Sequence, residues 1–255
     1  MTAPAPPLPP DLEAGLRRLR LGTIRRLAPE VLIAAKTQRW APEELLRSLV
    51  QAEIASRDVS NAANRMRQAA FPMEKTLDGF DVGASSIPRV TFDYLSGLEW
   101  IAARENPCFV GPAGTGKSHA LVALGHAAVA AGYKVRYFVA TDLVETLYRG
   151  LADNSVGKVI DAVLKVDFIV VDEIGFAPLD DTGAQLLFRF VAAAYEHRSL
   201  GVASHWPFDQ WGRFLPEHTT AVSLLDRLLH HGIVVVTEGE SWRMKEARQK
   251  EGSAH

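Results

Sequence analysis

From Leu12 to Leu27 the apolar positions Leu12, Leu16, Leu19, Ile24 and Leu27 recur at helical spacing, with arginines on the other faces. That pattern predicts one amphipathic helix packing its leucines on a single side. Pro29-Glu30 predicts a short second helix through Val31, Leu32 and Ala35. Pro42-Glu43-Glu44 predicts a longer third, because proline fits a first helical turn and acids complement the positive end of the helix. Its apolar positions Leu45, Leu46, Leu49 and Ile54 carry it to about Ala70, before Pro72 stops it. A linker with Gly79, Gly83, Ser85 and Ser86 is expected over 72–89. From Val90 the rhythm changes to short apolar runs alternating with helical ones. The predicted strands are Cys108–Val110, Val135–Val139, Phe168–Asp172, Leu200–Ser204 and Ile233–Thr237. Nearly uniform apolar strands separated by helices mean an α/β fold with a parallel five-stranded sheet covered on both faces. The expected organisation is a disordered proline-rich tail over 1–10, a small all-helical domain over 11–71, the linker, the α/β domain over 90–246 and a second tail over 247–255.

Composition changes this picture little. Hydrophobic content of 47% with 23% charged residues is that of a globular protein. No apolar run approaches a membrane span and the first ten residues lack a signal pattern, so no membrane partner and a cytoplasmic location are expected. Cys108, the single cysteine, lies on an apolar strand and reads as a buried core thiol. Charge adds more. Residues 1–75 hold twelve basic and eight acidic side chains, leaving +4 there and −6 elsewhere for a total of −2. An arginine-rich segment beside an acidic body suggests a polyanionic partner, with a solvated helical surface as the plainer alternative. Arg17, Arg18, Arg25 and Arg26 are the candidate phosphate contacts.

The sharpest chemistry lies at Gly111-Pro112-Ala113-Gly114-Thr115-Gly116-Lys117-Ser118, a complete phosphate loop between an apolar strand and a helical run. Its glycines let successive backbone N–H groups face the phosphates; Lys117 reaches the β/γ oxygens and Ser118 ligates Mg²⁺. ATP and Mg²⁺ are the cofactors expected. Phe168-Ile169-Val170-Val171-Asp172-Glu173 is the second signature. A buried strand ends by delivering Asp172 toward the metal, and Glu173 stands where a general base would polarise the attacking water. His205, at the end of the fourth strand, occupies the position of a residue that senses the γ-phosphate. His119 directly follows Ser118 and is expected to support the loop rather than face the phosphates. His230-His231 has no carboxylate or cysteine at metal-ligand spacing, so no metal is expected there. Arg227, on an amphipathic helix, and Arg243 are each candidates for stabilising a transferring phosphoryl group or for a plain surface ion pair.

These residues carry a resemblance. Thr76-Leu77-Asp78-Gly79-Phe80-Asp81, Gly111–Ser118 with His119, Val171–Gly175 with Pro178-Leu179, Pro207-Phe208 with Trp211-Gly212, Leu225–His231 and Glu238-Gly239-Glu240-Ser241 together resemble the IstB-like helper ATPases of bacterial transposons. Those are relatives of the DnaC-type helicase loaders within the AAA+ class, and the match runs from about Leu16 to Met244. The resemblance implies a P-loop NTPase AAA+ module behind a helical N-terminal domain, and an ATPase stimulated by DNA. It also implies ATP-dependent self-assembly as a homo-oligomer on duplex DNA, and delivery of target DNA to a cognate transposase. Position by position, Arg227 matches the family's arginine finger and Arg243 its second sensor; His205 stands where asparagine is commoner. A replicative helicase loader is the alternative within the class. A small-molecule kinase and a nucleotide-gated module that does not hydrolyse ATP are the alternatives outside it.

Overall fold

The computed structural model describes residues 5–216, 218–242, 244 and 248. Arg243, residues 1–4 of the expected first tail and, Arg248 apart, the expected 247–255 tail lie outside the described residues. The chain divides into two compact units, Met1–Asn64 and Arg65–His255.

The first unit holds α1 (Pro10–Arg18), α2 (Gly22–Gln38) and the start of α3 (Pro42–Ala69). The helix expected over Leu12–Leu27 is therefore two helices, and Pro29 lies inside α2 instead of opening a new one. The reason is a pair of tertiary caps. Arg20 takes the left-handed φ of 57°, and the amides of Leu21 and Arg20 turn back onto Leu16 O at 2.9 Å and Arg17 O at 3.0 Å. Glu53, buried on α3, then accepts the amides of Thr23 at 2.9 Å and Ile24 at 3.0 Å, which starts α2 afresh. Arg57 bridges both features, donating to Glu53 at 3.0 Å and to Arg20 O at 2.9 Å. Nor do the leucines share one buried face: Leu12 is 45% and Leu19 67% exposed.

In the second unit come α4 (Arg89–Gly97), α5 (Glu99–Ala103), β1 (Asn106–Val110), α6 (Lys117–Ala130), β2 (Val135–Val139), α7 (Ala140–Arg149) and α8 (Val156–Val163). They are followed by β3 (Phe168–Ile174), α9 (Asp181–Ala194), β4 (Ser199–Ser204), a 3-10 turn (Phe208–Arg213), α10 (His218–His230) and β5 (Gly232–Val236). All pairings are parallel, in the order β2-β3-β4-β1-β5. Successive side chains leave a strand on opposite faces, so each strand feeds two cores. Cys108, Val171 and Val202 face Leu143, Leu147, Phe190, Trp211 and Leu224. Phe109, Val170 and Ala203 face Trp100, Leu121 and Leu124. Each fully buried Leu or Phe contributes roughly 1.5–3 kcal/mol. Cys108 is fully buried, and burial pushes its thiol up to about 12. Between Ala69 and Arg89 there is no helix or strand, yet Phe80 and Ile87 are buried and Phe71 abuts Gly125 so closely that a Cβ there would overlap it. Among the described residues no helix is long and apolar enough to cross a membrane.

Candidate nucleotide site

Parallel order brings the carboxyl ends of the strands to one rim. Val110 pairs with Ser204 on one side and Val236 on the other, and Val139 pairs with Asp172. Gly111, Asp172, Glu173, His205 and Thr237 leave the sheet from that rim, where open α/β sheets bind ligands.

The phosphate loop needs its glycines. Gly111, Gly114 and Gly116 have φ of 144°, 79° and 93°, a region that favours glycine. A Cβ on Gly111 would run into Thr237 O, and one on Gly114 into Ser241. Lys117 is 8% exposed and donates to Gly111 O at 2.6 Å and Pro112 O at 2.5 Å, so the loop's own carbonyls solvate a buried ammonium. A triphosphate would offer that ammonium charged oxygens, a stronger partner than neutral carbonyls. The first turn of α6 opens on the same loop, with amides that helical geometry leaves without acceptors inside the helix. Ser118 Oγ donates to Asp172 Oδ1 at 3.0 Å. A hydroxyl beside a buried carboxylate is a hard-oxygen pair of the kind Mg²⁺ takes with substrate phosphates. The donor set fits Mg²⁺-ATP.

Glu173 owes its place to a defect in β3. The β3–β4 register slips between Val171 and Ile174, and Glu173 takes φ 57° with its side chain exposed. Such a bulge re-aims a side chain, and left-handed φ on a non-glycine residue persists only where its surroundings enforce it. Those surroundings are visible. Ser204 Oγ donates to Ile174 O at 2.9 Å, Trp206 Nε1 to Gly175 O at 3.1 Å, and Glu173 N to Asp172 Oδ1 at 2.8 Å. The segment Ser204-His205-Trp206 thus pins the turn that presents Glu173. His205 lies between those two anchors; desolvation first, and the nearby Lys117 charge second, hold its imidazole below the usual histidine value.

His119 stands edge-on to Phe80 with ring centroids 5.1 Å apart, and burial lowers its pKa. Phe80 in turn lies against Gly116 of the loop. Arg227 donates to Ser223 O at 2.9 Å and lies over the Phe188 ring at 5.0 Å, contacts with α10 and α9 rather than with its own phosphate loop. Arg17, Arg18, Arg25 and Arg26 are all exposed, and Arg17 pairs with Glu13 at 3.1 Å.

Sequence reasoning missed several residues. Tyr137 on β2 donates to Asp172 Oδ2 at 3.0 Å, and burial first, with the Asp172 charge next, pushes its phenol up. Its signal is a lone hydroxyl-bearing position on β2, which acquires meaning only through the pairing of β2 with β3. Thr237 Oγ1 lies 2.7 Å from Thr115 Oγ1. Trp242 N donates to Gly114 O at 2.9 Å, and Ser86 Oγ accepts from Glu238 N at 2.7 Å. Phe80 packs against Gly116. The expected linker and the segment after β5 therefore both close on the loop.

Comparison with known proteins places this geometry. The profile of the IstB-like ATP binding protein family matches residues 14–250. The putative ATP-binding protein of insertion sequence IS5376 of Geobacillus stearothermophilus is 34% identical over 218 residues, 85% of this chain and 87% of its own length. That of insertion sequence IS21 of Pseudomonas aeruginosa is 32% identical over 240 residues, 94% of this chain and 91% of its own. Among solved structures, AMPPCP-bound DnaA from Aquifex aeolicus aligns over 70% of this chain and 55% of its own, with a TM-score of 0.54 and 23% identity. DnaI aligns over 65% of this chain and 92% of its own, with a TM-score of 0.55 and 15% identity. At such identities these two likenesses concern the fold alone, which is that of an AAA+ P-loop domain.

Proposed function

Since this chain belongs to the IstB-like ATP-binding family of insertion sequences, we propose that it hydrolyses Mg²⁺-ATP while assembled with its own kind on duplex DNA, and so assists a transposase in engaging target DNA. The observation that carries hydrolysis, beyond binding, is the bulge that turns Glu173 out beside a buried Asp172 already paired with Ser118. Lys117 and the loop amides bind the β- and γ-phosphates. Mg²⁺, held by Ser118 and Asp172, would neutralise charge developing on the phosphate oxygens. Tyr137 fixes the carboxylate plane of Asp172. Glu173 takes a proton from the attacking water, and His205, whose neutral form desolvation and then Lys117 favour, orients that water or the γ-phosphate through a hydrogen bond. Arg227 serves a neighbouring subunit, which agrees with its contacts lying away from its own loop.

Two basic surfaces support the DNA reading. One is the exposed arginine set of α1 and α2. The other is a groove of about 720 Å³ flanked by Arg65, Lys134, Arg136, Lys158 and Lys165. Among the described residues none of these five is in an ion pair, although Arg136 also donates to Gln68 O at 2.7 Å. The test is ATP turnover with and without duplex DNA, followed by strand transfer by the transposase encoded in the same element. Turnover rising with DNA and strand transfer rising with both are expected. Turnover indifferent to DNA, with strand transfer unchanged, overturns the proposal; enhanced loading of a replicative helicase would favour the loader instead.

A further inference from the structure

Along the chain, His230-His231 lacks a third ligand; the fold supplies one. The segment joining α9 to β4 carries Glu196 to the end of α10, where one ligand atom each from Glu196, His230 and His231 lie within 4.8 Å of one another. His230 Nδ1 and His231 Nε2 are 3.1 Å apart, and His231 Nε2 is 3.9 Å from Glu196 Oε1. Two nitrogens bound to one tetrahedral Zn²⁺ at 2.0–2.1 Å lie about 3.3 Å apart, so the imidazoles already hold the spacing of a shared ion. The Glu196 carboxylate is exposed.

We propose that Glu196, His230 and His231 form a binding site for a borderline divalent cation of the Zn²⁺ type, which clamps the last turn of α10 to the segment before β4.

Four further points bear on it. The backbone on both sides is fixed. Asn106 N donates to His231 O at 2.8 Å, Asn106 Nδ2 to Leu228 O at 3.1 Å, and Leu200 N to Asn106 Oδ1 at 2.9 Å. Glu196 itself is held at the left-handed φ of 59°, and Arg198 anchors the following turn by donating to Leu164 O at 2.7 Å. Second, Tyr195 OH lies 2.8 Å from the same His230 Nδ1 that His231 Nε2 approaches. An imidazole nitrogen has one proton or one lone pair, so a cation on Nδ1 must displace the Tyr195 hydroxyl and the hydrogen bond to His231. Third, the site lies at the carboxyl end of α10, where the helix dipole favours positive charge. Finally, two imidazoles and a carboxylate suit Zn²⁺ or its late first-row neighbours, whereas Mg²⁺ prefers an all-oxygen shell.

Asn106, Ser199 and Gly232 open β1, β4 and β5. The cluster therefore sits at the amino ends of the strands, across the sheet from the phosphate loop. It nonetheless holds the turn that follows Arg227 on the same helix.

The experiment is a titration of tag-free, full-length protein with Zn²⁺ against a chromophoric chelator, alone and with excess Mg²⁺. One equivalent should bind, with Mg²⁺ unable to displace it. Glu196→Gln and His231→Gln should each weaken binding on the order of ten-fold or more. Zn²⁺ should raise the melting temperature of the parent protein and leave that of either variant unchanged. Co²⁺ in the unmutated protein supplies a check that needs no variant: an intense visible spectrum reports a tetrahedral nitrogen and oxygen shell. A weak octahedral spectrum, no uptake of Zn²⁺, or uptake undiminished in both variants would each overturn the assignment.

Discussion

Lys117 shows how much one side chain settles. Lys117 is buried, and its ammonium donates to two loop carbonyls. Lys117→Ala should therefore abolish ATP binding while leaving the fold intact, because α6 and the loop glycines keep their conformation. Equilibrium binding of a fluorescent ATP analogue, with circular dichroism as the folding control, checks this; normal affinity in a folded variant would refute the phosphate-loop assignment. Glu173→Gln removes a carboxylate but keeps Asp172 and Ser118. Bound ATP with hydrolysis slower by roughly 10²-fold or more is the expected outcome, read by single-turnover kinetics. Unchanged turnover would transfer the base role to another group.

Elements are set by what caps and pins them. Glu53 starts α2 and, through Arg57, ends α1. The amide of Ile24 foremost, then Arg57 and Thr23, outweigh desolvation and hold its carboxyl below the usual glutamate range. A depressed folded value means this stabilisation is fully present above the unfolded glutamate value and is lost as pH falls through the folded one. Glu53→Gln should lower the melting temperature at neutral pH and flatten its decline on acidification. Melting curves from pH 7 down to about pH 3 test this, and parallel curves for parent and variant would rule it out. The same logic explains β3. Its apolar run was legible as a strand, but the bulge at Glu173 depends on hydrogen bonds from Ser204 and Trp206 and on no local signal.

At the scale of the molecule, the proposed function turns on charge and assembly. Arg227 contacts Ser223 and Phe188 on its own chain, so its proposed partner is a neighbouring subunit's nucleotide. Arg227→Ala should lose DNA-stimulated hydrolysis, and mixing it with Lys117→Ala should restore part, since one subunit offers a pocket and the other an arginine. Mixtures that never exceed the sum of their parts would make Arg227 a structural residue. Changing Arg17, Arg18, Arg25 and Arg26 to alanine should weaken duplex binding alike across sequences. For every arginine–phosphate pairing removed, the slope of log affinity against log salt should flatten by about 0.9. Because Arg17 is tied to Glu13, its share should be the smallest. An unchanged salt slope would leave the groove at Arg136 and Lys158 as the surface to test.

What the chain alone determined is what depends on near neighbours. Five short, largely apolar runs between helical ones point to a parallel sheet, and Gly111 to Ser118 carries in its own glycines and the helix behind it the means to cradle phosphate. Asp172 at the end of such a strand was readable for the same reason. Tertiary structure decided the rest, because the partners lie far apart in sequence. Glu53 breaks a helical repeat some thirty residues before it. Tyr137 meets Asp172 through the pairing of β2 with β3. Phe80 and Ser241 reach the loop glycines from segments before β1 and after β5. Glu196 joins His230 and His231 because the ends of α9 and α10 meet at the amino edge of the sheet. Periodicity reports which face of an element is buried, but only the packing of distant elements decides which polar groups share one low-dielectric place, and that is where chemistry is set.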